Sequence, residues 1–441
     1  MSDTSDLGIE RVAASERIAS LDVLRGIAIL FILFLNIPWM GGYDPLIWDP
    51  RYPTWTNADY WTTLVTRTGL EGTQRGLLEL LFGAGIMIMA RRAMTPDGPV
   101  EVADLHYRRN LWLIVFGLAN ALVLLWFGDI LLVYGIAAMF MFPFRKVGPK
   151  GQLGFAALLL AGMLFANVVG QREQIAERAK YEQTAKQQAA GQKVSEEDAK
   201  ALKDFTERME RRAKPPRDNP KAMEEIKKAD EAHHGGFVSY WKAQFDMWLM
   251  LFNWFWPIQG EIMSTMLVGM ALFQWGVIQG KARSGVYWAM LVGGYALGMG
   301  LRGSLALEEL QFHHGIHWQQ PLNDIARLAV SLGHIGLVQL LLCSKPGAML
   351  LKPFVAAGQM PLTVYLFTSL LMMWVIFAPW GFDKFGAWGQ YNMVVVAGAI
   401  ILAELVAANL YMRRFANGPM EWLWKSLAYE RKQPFRRVGA A

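Results

Sequence analysis

The sequence contains one cysteine, Cys343, among 441 residues. A single thiol excludes an intramolecular disulfide and argues against a metal site built from cysteines. Charge is also scarce: Asp, Glu, Lys and Arg make up 18% of the chain, whereas soluble globular chains carry about 25%. So few polar residues could not cover several soluble domains. The net charge of +6, with no arginine-rich arm, gives no indication of a nucleic-acid partner.

Several sequence motifs are missing as well. The chain has no Walker sequence, no dinucleotide-binding glycine fingerprint and no Gly-x-Ser-x-Gly elbow. We expect no cleaved signal peptide, because residues Met1–Ser20 alternate in charge and no short apolar region with a cleavage site follows.

Long apolar runs dominate what is present, and hydrophobic residues make up 54% of the chain. A membrane-spanning helix needs about 20 mainly apolar residues. The sequence therefore predicts an all-α integral membrane protein with about ten transmembrane helices. The ten segments are roughly Leu21–Met40, Thr73–Ala90, Leu111–Leu125, Asp129–Phe144, Gln152–Gly170, Gln259–Gln279, Val286–Leu301, Ile325–Cys343, Phe354–Phe377 and Tyr391–Met412.

Lysine and arginine in the short loops predict the orientation. One side receives Arg11, Arg17, Arg91, Arg92, Arg108, Arg109, Arg145, Lys146, Lys150, Lys281, Arg283, Lys345, Lys352 and the tail from Arg413 to Arg437. The other side receives only Arg51, Arg67, Arg302 and Lys384. We therefore expect a multi-pass protein of a bacterial plasma membrane with both termini in the cytoplasm.

A charged segment interrupts the apolar chain between the fifth and sixth predicted spans. From Gln171 to Gly235, 29 of 65 residues are charged, against 51 of the other 376. The segment is rich in helix formers, and Ser195 and Asn219 are suitable helix caps. We predict a solvated helical hairpin on the outer side, with a docking surface for a partner as the alternative.

This segment divides the chain into four parts. Residues 1–170 form a first half with five spans, and residues 171–235 form the outer insertion. Residues 236–412 form a second half, in which an interfacial helix rich in Trp and Phe precedes five spans. Residues 413–441 form a basic cytoplasmic tail.

Ionisable residues inside spans are costly and often mark function. Asp22 and Arg25 are three residues apart near the start of the first span, so they share a helix face. Asn36 follows Arg25 by eleven residues, which places both on one stripe about 16 Å apart. The structural alternative is an ion pair that anchors the helix end, with Asn36 bonding between helices.

Further polar residues fall within or beside other spans. Glu71, Arg75 and Glu79 form a stripe at four-residue spacing, which mutual neutralisation explains as well as catalysis does. The remaining polar residues of this kind are Asp129, Glu261, Glu404 and Asn409.

Histidine is the usual general base at neutral pH, and His334 lies near the middle of the eighth span. It is either a base or a neutral hydrogen-bonded core residue. His313, His314 and His317 cluster in a loop, but no carboxylate completes a zinc motif, so we predict no metal.

Six stretches resemble YeiB-like proteins, which carry the domain of unknown function 418. They extend over nearly the whole chain apart from the charged segment. They are LDVLRGIAILFILFLNI (Leu21–Ile37), LLFGAGI (Leu80–Ile86), RRNLWLIVFGLANALVLLWFGDILLVYGI (Arg108–Ile136), GMALFQWG (Gly269–Gly276), GQMPLTVYL (Gly358–Leu366) and NGPMEWLWKSLAY (Asn417–Tyr429).

The first helix is also similar to those of acyltransferase-3 and heparan-glucosaminide acetyltransferase proteins. That resemblance implies a transmembrane acyltransferase, which passes an acyl group from a cytosolic acyl-CoA to a saccharide or similar acceptor at the far face. Arg25 matches the first-helix arginine of the acyltransferase-3 pattern and would meet an anion such as a CoA phosphate.

The resemblance has departures. Acyltransferase-3 proteins have histidine where this chain has Asn36, and YeiB-like proteins often have histidine where this chain has Asn120. No histidine lies between Met1 and Leu105, where the heparan-type enzymes have theirs.

The leading hypothesis is thus a membrane acyltransferase with acyl-CoA as donor and a saccharide or lipid-linked acceptor. His334, Asp129 and Asn36 would be catalytic, and Arg25, Asp22 and Arg75 would bind the donor. A transporter or flippase is the second hypothesis, because intramembrane carboxylates suit proton coupling. A catalytically silent membrane scaffold is the third.

Overall fold

In a computed structural model, the described part of the chain is helical, with a single isolated bridge between Phe415 and Arg436. The description covers residues 19–437 except 44–46, 48, 50, 52–54, 91–99, 254 and 313–314. Some residues used for the predictions lie outside this part, namely Arg11, Arg17, Arg91, Arg92, His313 and His314.

The first half of the fold runs from Ala19 through the end of the charged segment. Its helices are α1 (Ala19–Phe31), α2 (Leu33–Gly41), α3 (Asn57–Val65), α4 (Thr73–Ala90), α5 (Val100–Leu122), α6 (Leu131–Met141), α7 (Pro149–Ala189), α8 (Glu196–Ala213) and α9 (Pro220–His234). A π-helical turn, Thr66–Leu70, joins α3 to the link before α4.

The second half begins directly after the charged segment. Its helices are α10 (Phe237–Phe252), α11 (Phe255–Gln274), α12 (Ser284–Glu309), α13 (Asn323–Leu342), α14 (Lys345–Leu351), α15 (Phe354–Gln359), α16 (Pro361–Leu370), α17 (Gln390–Arg414) and α18 (Pro419–Ala428). A second π-helical turn, Leu371–Ile376, extends α16.

Each of the ten predicted apolar segments falls on helix, which confirms the all-α membrane class. Five helices are long and apolar enough to cross a membrane on their own, and the count of ten spans stays a prediction. The five are Ser20–Gly41, Pro149–Ala189, Ser284–Glu309, Gln320–Leu342 and Gln390–Arg414.

Helix α4 lies at the centre of the bundle, where it packs on α1, α11 and α13. Glycines permit the closest of these contacts. A Cβ atom on Gly83 would lie 2.1 Å from the Met266 carbonyl oxygen, and one on Gly269 would lie 2.0 Å from that of Leu80. The backbones of α4 and α11 therefore touch without intervening side chains, as is common between membrane helices.

The bundle has two ends. We call the end near the charged segment, marked by Leu122–Ile130 and α10, the insertion face. We call the opposite end, marked by the start of α1 and by α18, the tail face. Helix α7 runs for 41 residues, or about 61 Å, which is twice the thickness of a bilayer core. Its second half therefore extends beyond the insertion face into the charged segment.

The charged segment is helical as predicted, and its caps are confirmed. The side chain of Ser195 caps α8 and that of Asn219 caps α9. The segment is not a fully solvated hairpin, however, because α9 docks on the bundle. Ile226 is 4% exposed and belongs to the core, and the Tyr43 hydroxyl donates to Asp230 over 2.6 Å.

Candidate functional site

A cavity of about 1550 Å³ lies beneath the charged segment at the insertion face. Its lower walls come from α2, α4, α11, α12 and α13 together with the loop between α5 and α6. Its upper walls come from α7, α8, α9 and α10. The charged segment thus forms the roof of a chamber whose base lies within the helix bundle.

Four charged residues, buried or partly buried, lie together beside this cavity, and we call them the ion-pair cluster: Arg75, Glu79, Glu261 and Arg327. Arg75 and Arg327 line the cavity wall. Arg75 and Arg327 each contact both carboxylates. The Glu79 side chain is fully buried, and that of Arg327 is 4% exposed. Two positive and two negative groups neutralise one another, which is the condition for burying them in an apolar bundle.

Arg302 lies beside this cluster and is 7% exposed. Its guanidinium donates to the carbonyl oxygens of Arg67, Thr68 and Glu71 and to the side-chain oxygen of Asn323, at 2.7–3.3 Å. These carbonyls end the π-helical turn before α4, so Arg302 fixes the start of the helix that carries the ion-pair cluster.

Asp129 lies on the cavity wall in the loop before α6. Its carboxylate accepts hydrogen bonds from the Asn120 side chain and the Leu132 amide, both at 2.8 Å. The Tyr365 hydroxyl accepts from the Trp126 indole and the Ile130 amide and donates its own proton to Asp129. These donors hold the Asp129 carboxylate in a fixed position at the edge of the cavity.

Asn36 lines the same cavity and is 7% exposed. Its side-chain amide makes no hydrogen bond to any residue that the structure describes. A buried amide without a partner is costly unless a ligand or water completes it. Asn36 and Asp129 are therefore the two predicted site residues that the fold brings to one cavity without committing them to ion pairs.

His334 does not line this cavity. Its Nε2 atom lies 3.3 Å from the Gly69 carbonyl and 3.2 Å from the Thr73 hydroxyl, and its Nδ1 atom lies 2.8 Å from the Tyr295 hydroxyl. A proton on Nε2 donated to Gly69 leaves Nδ1 to accept from Tyr295. Both ring nitrogens thus have partners within the protein, as the core-residue alternative describes, and no acceptor in the cavity reaches them.

Arg25 lies toward the tail face and is also absent from the cavity wall. It pairs with Asp22 at 3.4 Å, as the spacing predicted, and its side chain remains 30% exposed. The Arg109 guanidinium is close enough to interact electrostatically with Arg25, and it stacks on Trp424 at 4.4 Å. Two arginines therefore lie together near this end, whereas Arg75 lies at the other end within the ion-pair cluster.

The sequence analysis missed Arg327 and assigned Arg302 to a loop. Both are basic residues beside or within apolar segments, and that signal alone could have marked them. Other predicted polar residues bond within the bundle: Thr368 donates to Glu404 at 2.6 Å, and Asn409 donates to the Pro353 carbonyl at 2.8 Å. Of the three-histidine cluster only His317 is described, and its ring contacts Glu308 at 2.6 Å.

The chain is similar to uncharacterized bacterial proteins over nearly its whole length. The sequence is 26% identical to the uncharacterized protein YxaH of Bacillus subtilis, over 97% of this chain and 98% of that one. It is 24% identical to the uncharacterized protein YeiB of Escherichia coli, over 95% and 98%. The sequence profile of a protein of unknown function, DUF418, matches residues 272–431. The chain is thus similar to YeiB-like proteins over nearly its whole length, and its residues 272–431 match DUF418.

The DUF418 match covers only part of the chain. The profile begins at the end of α11 and ends just after α18, so it includes α13 and Tyr365 but not α1 or α4. An uncharacterized 39.9 kDa protein of Bacillus acidopullulyticus is 30% identical over 34% of this chain and 41% of its own length. No solved structure matches the chain.

Proposed function

We propose that this YeiB-like protein is a membrane acyltransferase. A cytosolic acyl-CoA would bind near the tail face, and a saccharide or lipid-linked hydroxyl acceptor would bind in the cavity at the insertion face. One observation carries the proposal. The first-span helices carry Arg25 and Asn36, α5 carries Arg109 and Asn120, and in each pair eleven residues separate the arginine from the asparagine.

Eleven residues amount to about 16 Å along a helix and return to nearly the same face. Each of these stripes therefore runs from an arginine near the tail face to an amide near the cavity. The arginines suit the phosphates of CoA, since a guanidinium binds phosphate through paired hydrogen bonds. The Asn36 amide lies on the cavity wall, where the acyl group and the acceptor would meet, and the Asn120 amide bonds to Asp129 on that wall.

In the reaction, the acceptor oxygen attacks the thioester carbonyl of the donor. A new C–O bond forms, the C–S bond breaks, and the CoA thiolate leaves. Asp129 takes the proton of the acceptor hydroxyl, and Asn36 donates a hydrogen bond that orients the reacting groups. His334 has no part in this scheme because its ring bonds elsewhere.

The test uses proteoliposomes of the full chain in one orientation. Radiolabelled acetyl-CoA is supplied at the tail face and methyl glucoside at the insertion face. We expect labelled glucoside, and we expect Asp129→Asn to reduce its formation by about 100-fold or more, the usual contribution of a general base. Glu225→Gln, on the cavity roof, is the matched control and should keep the rate. Undiminished transfer in Asp129→Asn would overturn the assignment.

A second variant tests the same site in the opposite direction. Asn120 contacts Asp129, and YeiB-like proteins often have histidine there. Asn120→His would place an imidazole against the carboxylate, in the arrangement of a general base and its orienting acid. We expect faster transfer in Asn120→His, and a rate below that of the unaltered chain would count against Asp129 as the base.

The cellular placement belongs to the same proposal: a bacterial plasma membrane with the tail face and both termini in the cytoplasm. Cys343 is exposed between α13 and α14, at the tail face. A membrane-impermeant maleimide should therefore label Cys343 in inverted vesicles and not in intact cells. Labelling in intact cells would reverse the orientation.

Transport is the second candidate, and the ion-pair cluster favours it. Buried carboxylates paired with arginines beside a cavity are a feature of proton-coupled carriers. The proteoliposome experiment separates the two functions, since movement of unmodified methyl glucoside without any acetylated product would support a carrier.

A further inference from the structure

An aromatic ladder runs along α10 into the start of α11. Five rings follow one another at three- or four-residue spacing, so the first four share one face of α10, and the fifth continues the row at the start of α11. Successive ring centroids are 5.1, 5.9, 5.7 and 5.2 Å apart. The ladder consists of Trp241, Phe245, Trp248, Phe252 and Phe255.

The ladder joins the cavity to the outside of the bundle. Trp248, Phe252 and Phe255 line the cavity. Phe252 is nevertheless 50% exposed, and Trp256, in contact with Phe255, is 74% exposed. In a membrane protein such exposed rings contact lipid, and indole rings favour the headgroup level. One apolar face therefore continues from the cavity to the bilayer.

Part of the cavity wall lies between two helices that are distant in sequence. Helices α7 and α10 both contribute to its wall, through Gln174 and Glu177 on α7 and through Leu251 and Phe252 on α10. Their closest neighbours differ, since α7 packs mainly on α8 and α11 whereas α10 packs mainly on α5 and α9. The wall between α7 and α10 is thus made of side chains rather than of packed backbone.

The opposite wall is polar, and each of its arginines already has bonding partners within the protein. Arg75 and Arg327 are neutralised in the ion-pair cluster, and Arg67 pairs with Glu309 at 2.7 Å. Arg302 donates to carbonyl oxygens. A phosphate would find no uncommitted arginine here. The unpartnered amide of Asn36 and the Asp129 carboxylate instead offer a donor and an acceptor to neutral hydroxyl groups.

We infer that the cavity binds a glycolipid, with its sugar hydroxyls at Asn36 and Asp129 and its hydrocarbon chain along the aromatic ladder. The hydrocarbon chain leaves the cavity for the bilayer along the exposed rings of α10 and the start of α11. This inference rests on the proposed function and specifies its acceptor as lipid-borne, rather than a free saccharide. The arginines of the polar wall already have partners, which favours a sugar headgroup there over a phosphate, and the positive charges of Lys214 and Lys221 lie on the cavity roof.

The test measures contact between lipid chains and the cavity. A Cys343→Ser background receives a bimane-labelled cysteine at Leu251, on the cavity wall, or at Phe165, which is 71% exposed on α7. Nanodiscs contain dioleoylphosphatidylcholine with either brominated monoglucosyl diacylglycerol or brominated phosphatidylcholine, because bromine quenches bimane on contact. We expect the brominated glucolipid to quench the Leu251 probe more strongly than brominated phosphatidylcholine does. Both lipids should quench the Phe165 probe equally.

Phe252→Ser interrupts the ladder and should weaken quenching by the glucolipid about tenfold in apparent affinity, equivalent to about 1.4 kcal/mol. Phe165→Ser, the matched loss of an exposed phenylalanine, should leave it unchanged. Equal quenching of the Leu251 probe by both lipids would overturn the inference. So would a probe response to methyl glucoside alone that Phe252→Ser does not alter.

The two proposals fail separately. Acetylation of methyl glucoside with no preference for brominated glucolipid would overturn the glycolipid and leave acyl transfer standing. Selective glucolipid quenching with no acetylated product would overturn acyl transfer and leave the glycolipid site standing.

Discussion

At the scale of single residues, the ion-pair cluster is the most consequential feature of the interior. Glu79 and Arg327 are almost wholly removed from solvent, yet each has two opposite charges in contact. Such a group adds little stability over apolar residues of the same volume, but removing one member leaves an uncompensated buried charge.

Arg327→Ala should therefore lower the free energy of unfolding by about 3–5 kcal/mol, because Glu79 and Glu261 lose their shared partner. Arg67→Ala is the control. Its pair with Glu309 is partly exposed, and its loss should cost at most about 1 kcal/mol. Denaturant unfolding of the purified protein measures the free energy lost in each variant. Equal losses would show that Arg327 is no more important to stability than the partly exposed Arg67.

At the scale of elements, the contact between α4 and α11 depends on two glycines that face each other's backbone. The Cβ positions of Gly83 and Gly269 lie about 2 Å from a carbonyl oxygen of the opposite helix. No rotamer change relieves a clash with backbone, so the helices themselves must separate. The same contact brings Glu261 of α11 to Arg75 of α4.

Gly269→Ala should thus destabilise the fold by about 1–3 kcal/mol, as overpacking does elsewhere. It should also lengthen the distances between the charged groups of α4 and α11 in the ion-pair cluster. Gly85→Ala is the matched control on α4, where an added Cβ meets no atom within 4 Å and a better helix former replaces glycine. Thermal unfolding of the two variants compares them directly. Equal stability of Gly269→Ala and Gly85→Ala would contradict the close backbone contact between α4 and α11.

At the scale of the whole molecule, the docked charged segment decides whether the cavity is covered. His233 on α9 is part of the docking surface. Its ring stacks on Phe385 with centroids 3.6 Å apart, its Nδ1 donates to the Ala229 carbonyl, and its Nε2 accepts from Gln244 at 3.2 Å. Burial lowers the pKa of His233 to about 4, from an ordinary value of 6.5.

Docking should consequently weaken in acid. The undocked histidine has its ordinary pKa of about 6.5, so it binds a proton at a higher pH than the docked histidine does. The full stability of the docked state is therefore present above about pH 6.5, and it is lost as the pH falls from there toward 4. Hydrogen exchange of α9 amides, corrected for intrinsic rates, should show faster opening at pH 5 than at pH 7.5. The neighbouring charged groups, His234 and Asp230, act in opposite directions on the His233 pKa.

His233→Phe keeps an aromatic ring against Phe385 and removes the titrating group. The pH dependence of α9 exchange should then disappear. If faster opening at pH 5 persisted in this variant, another group of the docking surface would be responsible.

Much of the architecture was predictable because it follows from local rules. Apolar runs of about 20 residues must form helices in a bilayer, where every backbone polar group needs a partner. The caps Ser195 and Asn219 were predictable for the same reason, since a capping side chain bonds to amides within three residues of itself.

The candidate site was only partly predictable. Asp129 and Asn36 were identified as polar residues in apolar surroundings, and the fold places both on one cavity. His334 fitted the same description, yet its ring bonds to Tyr295 and Gly69 instead. Sequence spacing identifies the face on which a side chain lies within its own helix, but not which helix covers that face.

The sequence by itself determined that the chain is a helical membrane protein with a charged helical segment, because hydropathy and capping act over short distances along the chain. Only the tertiary structure decided that this segment covers a cavity, that Arg327 completes the ion-pair cluster, and that Arg25 and Asp129 lie toward opposite ends of the bundle. Those facts depend on contacts between residues up to about 250 positions apart, and such contacts are set by the packing of whole helices.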